Sequence, residues 1–185
     1  MKTRIAAELP TNFSPLADGQ SWVGVEGAWP SVPFSSVRAY FYNPTGSLGS
    51  PLLHEGELHS TVFDPTGVEL ERPQKEVLRL ALFGDHPTHP VAACHRPRHG
   101  FVLFDSLNSP VASVEICFEC LTHRFSPVAQ VGNLDWSSLR TLIRDAGLPL
   151  LDRPEDYLAL KPPSFPRSAF RLANSKPNAF FAKLP

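Results

Sequence analysis

Cys94, Cys117 and Cys120 are the three cysteines of this chain, and they stand in two short runs, Cys94-His-Arg-Pro-Arg-His99-Gly and Cys117-Phe-Glu-Cys120. Thiolates and imidazoles are the donors that tetrahedral zinc takes. A Cys-x2-Cys step can aim two sulfurs at one ion, and Cys94 with His99 would complete a Cys₃His set. Such a closed site has no open position for substrate, so its zinc would be structural and would contribute to folding. His95 or His123 would serve in place of His99. Buried cysteines that merely fill space, beside surface histidines, are the plain alternative.

Two further chemistries draw on the same residues. Cys117-Phe-Glu-Cys120 reads as a redox dithiol, although Glu115 and Glu119 beside it would raise the thiol pKa and no well-punctuated helix follows at once. A nucleophilic Cys94 or Cys117 activated by His99 is the third, without an orienting group or oxyanion hole to support it. Haem attachment is excluded because Leu121, not His, follows Cys120. No phosphate-binding glycine loop, Gly-x-Ser-x-Gly or His-Glu-x-x-His occurs.

For these residues to meet, the chain between them must form a hairpin. Phe101–Phe104 and Val111–Phe118 read as its strands, around a loop at Ser106–Ser109. Val114 and Ile116 alternate with Ser113 and Glu115, the period-2 pattern of a half-buried strand. That register places Cys117 opposite Arg98 and Cys120 opposite His95, next to Cys94.

Further elements flank the hairpin. Val37–Tyr42 is a strand ended by the Asn43-Pro-Thr-Gly46 turn, and Leu58–Phe63 is a short strand before Asp64-Pro-Thr-Gly67. A helix is predicted over 72–83, with Pro73 in its first turn, Val77, Leu78 and Ala81 on its apolar face, and Gly84 after it. A second is predicted over 135–146, capped by Asp135, striped by Leu139, Leu142, Ile143 and Ala146, and stopped by Gly147 and Pro149.

Length and composition set the frame. At 185 residues, 42% hydrophobic and 19% charged, the chain can bury a core without staples. Its twenty prolines are about twice the average usage, and only Pro97, Pro110 and Pro127 fall between Val91 and Leu148. Dense proline interrupts helices and central strands. The expected division is therefore a proline/glycine-rich N-terminal segment (1–36) anchored by Trp22 and Trp29, a single α+β core (37–150), and a partly docked tail (151–185) carrying Phe165, Phe170, Phe180 and Phe181. The fold class is α+β, a small, mostly antiparallel sheet with two packed helices.

A net charge of −1 with scattered Lys and Arg argues against a broad nucleic-acid surface. A local anion patch at Arg96, Arg98 and Arg124 remains open, with plain solvation as its rival. No stretch approaches a membrane span, and the N-terminus lacks an apolar signal core. A cytoplasmic protein is expected, where cysteines stay reduced; the odd count also argues against a disulfide framework.

The segments Cys94-His-Arg-Pro-Arg-His99-Gly-Phe-Val-Leu-Phe-Asp105 and Ile116-Cys-Phe-Glu-Cys120 resemble a family of uncharacterised bacterial proteins. Those share a cysteine followed by Pro-Arg-His, a strand ending in Tyr-Asp or Phe-Asp, and an Ile-Cys-Phe-x-Cys strand. The resemblance implies a shared hairpin and cysteine site and no reaction. The functional expectation is a small non-enzymatic binding module with a protein or small-molecule partner and zinc at Cys94, His99, Cys117 and Cys120. The alternative is a thiol–disulfide oxidoreductase using Cys117 and Cys120.

Overall fold

A computed structural model describes residues 22–24 and 27–171. In chain order the elements are β1 (Trp22–Gly24), β2 (Gly27–Trp29), β3 (Ser36–Phe41), β4 (Leu53–His54), β5 (Glu57–Leu58), β6 (Val68–Glu69), α1 (Arg72–Phe83), β7 (His99–Phe104), β8 (Pro110–Cys117), β9 (Thr122–Ser126) and α2 (Trp136–Asp145). The main sheet has five strands in the order β6-β3-β7-β8-β9, every neighbouring pair antiparallel. β1–β2 and β4–β5 form separate two-stranded sheets. The molecule is thus the α+β fold expected. Phe180 and Phe181 lie outside the described residues.

Both helices form where local chemistry directs them. Asp135 caps α2, its Oδ1 accepting from Ser137 N and Ser138 N at 3.0 Å each. Burial tends to raise the Asp135 pKa, but these bonds and the one from the Ser138 hydroxyl outweigh it and hold the carboxyl below its usual range. At the start of α1, Gln74 Oε1 accepts from Glu71 N at 2.8 Å. The helices are tied directly, Asp135 N donating to Ala81 O at 2.9 Å.

β7 and β8 pair in the expected register, His99 with Ile116 and Phe101 with Val114. Side chains therefore sort by parity onto two faces. Val37, Ala39, Phe101, Leu103, Val114 and Ile116 join Leu78, Leu82, Leu139 and Ile143 in one core beneath the helices. Tyr40, Val102 and Phe104 join Leu52, Leu58, Val62 and Phe170 in a second core on the other face. β8 is consequently covered on both sides, and Ser113 and Glu115 are buried too. The strand is therefore not half-buried as its alternation implied, because the 43–62 loop layer roofs the side that alternation assigned to solvent. Gly100 permits that roof: a Cβ there would stand 2.7 Å from Leu52 Cδ2 and from the Val114 carbonyl.

Two other differences concern short segments. Of the strand expected over Leu58–Phe63 only Leu58 is in a strand, β5, because the chain then turns, Val62 N donating to His59 O at 2.9 Å. β6 and β9 carried too few residues to stand out in sequence. No helix among the described residues is long and apolar enough to cross a membrane.

Leu139 is fully buried between α2 and the sheet. Leu139→Ala should destabilise the protein by about 2–5 kcal/mol in urea unfolding, whereas a loss below about 1 kcal/mol would show that α2 does not pack there.

Candidate functional site

The hairpin's open end gathers the cysteines, but not as one group. Cys94 and Cys120 are joined as a disulfide, their Cα atoms 5.9 Å apart. That adjacency follows from the register, with Ala92 N donating to Cys120 O at 3.1 Å. The expectation that all three cysteines stand as separate thiols is corrected by this link. Cys117 remains a buried thiol in β8, opposite Thr122 of β9. The Cys117–Cys120 step forms the β8–β9 turn, closed by Leu121 at φ 51°.

Parity separates the remaining donors. His99 shares the helix-side face with Phe101, whereas Cys117 shares the opposite face with Glu115. Among the described residues no three His, Cys, Asp or Glu side chains are gathered as a metal would need. His95 lies on the Glu115 side: its Nδ1 is 3.0 Å from the Thr122 hydroxyl and its Nε2 is 3.5 Å from Glu115 Oε2. His123 packs against Phe125 and Trp136, and its pKa is lowered by burial and by His95.

Of the three arginines of the sequence patch, Arg96 and Arg98 line one cleft and Arg124 leaves them for Glu115. Arg124 donates to Glu115 Oε2 from Nε at 2.9 Å and from Nη2 at 2.6 Å, and Leu52 N donates to Oε1 at 3.0 Å. A buried carboxylate needs this company, because an uncompensated charge at that depth is strongly destabilising. Arg98 is 8% exposed in its side chain and donates from Nη1 to Glu119 Oε2 at 2.9 Å. Its guanidinium lies 4.7 Å from the Tyr157 ring centroid and against Gly46, where it occupies the space a Cβ would need and where φ is +66°.

Beside Arg98 a cleft of about 280 Å³ opens over His99, Phe118 and Tyr157, with Arg96 and Arg140 on its wall. His99 is 1% exposed. Its Nε2 donates to Pro149 O at 2.6 Å, so Nδ1 is the unprotonated nitrogen of the neutral ring. Burial pushes the His99 pKa down to about 4, against the raising effect of that bond and with a further lowering from Arg98 and Arg140. Arg140 reaches in from α2, donating to Phe118 O at 3.2 Å with its guanidinium 4.9 Å from the Phe118 ring centroid. Tyr157 arrives from the proline-rich segment, anchored by Leu151 N, which donates to its hydroxyl at 2.8 Å; burial raises its pKa. Neither Arg140 nor Tyr157 carried a sequence signal, since each comes to the cleft from an element remote from the hairpin.

No family model, curated protein or solved structure matches the chain.

His99 titrates lower in the folded chain than the usual 6.5 or so of the unfolded one. The unfolded chain therefore binds the proton first, and the stability His99 contributes is present above about pH 6.5 and lost as pH falls toward 4. Unfolding free energy should drop by about 2 kcal/mol from this group between pH 7.5 and pH 5. His99→Gln should flatten the profile by that amount, and an unchanged slope would contradict the buried neutral ring.

Proposed function

We propose that this chain is a small non-enzymatic binding module whose working face is the cleft at the open end of the β7–β8 hairpin. The covalent Cys94–Cys120 link braces that end in the way the Cys₃His zinc site was expected to do. The observation that carries this reading is the Arg98–Glu119 ion pair on the cleft wall. Glu119 is adjacent in sequence to Cys120, so holding Cys120 against Cys94 positions the carboxylate that fixes Arg98. A bound partner would meet a buried, pre-oriented guanidinium, and pre-organisation of this kind lowers the cost of binding.

Zinc at Cys94, His99, Cys117 and Cys120 is the competing form of the same module. It requires the reduced chain and a rearrangement that brings Cys117 and His99 to one side of the sheet. A reducing cytoplasm would open the link, so the cytoplasmic location expected from composition goes with the dithiol form. The oxidoreductase alternative would likewise use Cys94 with Cys120 in place of Cys117 with Cys120.

Alkylation under denaturing conditions without reductant, read by intact mass, tests the brace together with elemental analysis of the untagged protein. The expected result is one alkylated cysteine, Cys117, and no stoichiometric metal. Three alkylated cysteines with about one zinc per chain would replace the brace with the zinc site. Reversible reduction with a Cys94 or Cys120 pKa well below about 8.5 would favour the oxidoreductase.

A further inference from the structure

We propose that the cleft over His99 binds a compact oxyanion, a carboxylate or phosphate group of a small ligand, through Arg140 and Arg96 beside Arg98. The inference rests on the module reading above and names its ligand class. Three guanidiniums line the cleft, against the carboxylates of Glu119 and Asp152. Glu119 is committed to Arg98. Asp152 is exposed, and a charge at the rim is screened by water and salt. Among the described residues neither Arg140 nor Arg96 makes an ion pair.

Geometry narrows the ligand. Arg140 is half-buried, and its bond to Phe118 O and its place on the Phe118 ring hold the guanidinium plane while using one donor. Arg98 is held in the same manner by Glu119 and Tyr157. Guanidiniums offer donors in a planar fork that matches two oxygens of one carboxylate or phosphate. The imidazole of His99 in the same cleft is neutral, so it adds no charge of its own, and both guanidiniums disfavour its protonation. A volume of about 280 Å³ lies at the lower limit for small-molecule sites, a size that fits a small anion. The Phe118 and Tyr157 faces are already covered by arginine, so selectivity lies in the oxyanion and its size.

The test is titration of the intact, oxidised chain with inorganic phosphate, and separately with acetate, at constant ionic strength set by chloride. Amide chemical shifts and thermal unfolding are both followed. Saturable shifts confined to the cleft, with a rise in Tm, are expected, and the tighter of the two probes identifies the source. Arg140→Gln should weaken binding at least tenfold and Arg140→Lys less, whereas Arg144→Gln, on the exposed side of the same helix, should leave it unchanged. Circular dichroism and the alkylation pattern establish that each variant is folded and linked.

Absence of saturable binding by either anion to the linked protein would overturn the oxyanion and leave the module reading standing. An equal loss in Arg144→Gln would overturn it also, since bulk charge would then explain the effect. Phosphate binding that persists unchanged in a Cys94→Ser/Cys120→Ser variant would sustain the anion site and remove the brace.

Discussion

The antiparallel pairing of β7 with β8 is the constraint on which the rest depends. Once His99 faces Ile116, every neighbour is assigned to a face, because side chains alternate along a strand. Both faces are buried, by the two helices on one side and by the 43–62 layer on the other. A slip of one residue would carry Phe101, Leu103, Val114 and Ile116 into the wrong core. Gly100 and Glu115 are two residues at which this arrangement meets resistance. The first must lack a side chain so that Leu52 can approach. The second must find cationic and amide partners because it has been shut away from water.

Charge pairing follows from that burial. Arg124 and Leu52 N satisfy Glu115, which joins the edge strand β9 and the loop layer to the middle of the sheet. Arg98 and Glu119 make the corresponding pair on the cleft side. These pairs are weak evidence for stability, since desolvation offsets much of their attraction. Their effect is positional: removing one partner would strand a buried charge, so the geometry of each site is held narrowly. The Cys94–Cys120 link acts at the point where the segment before β7 passes the β8–β9 turn, and it ties the backbone beside Glu119.

The elements were legible where local chemistry decides conformation. Asp135 before an apolar stripe, Pro73 at a first turn and Gly84 or Gly147 at an end are statements about a few adjacent residues, and both helices stand where these signals put them. The hairpin register was legible too, because a short loop leaves few ways to pair two long apolar strands. β6 and β9 were not, being two and five residues whose strand character depends on a neighbour already in place.

At the site, local chain was enough to place Cys120 opposite His95, beside Cys94, with His99 and Arg98 at the same end, since hairpin register is a property of nearby chain. What these residues face was set by packing from remote elements. The tertiary structure put His99 and Cys117 on opposite sides of the sheet, sent Arg124 to Glu115, and brought Arg140 and Tyr157 to Arg98 from elements far along the chain. Spacing along a chain carries distance between neighbours, whereas the face a residue presents, and whether that face is covered, depends on layers that pack from elsewhere.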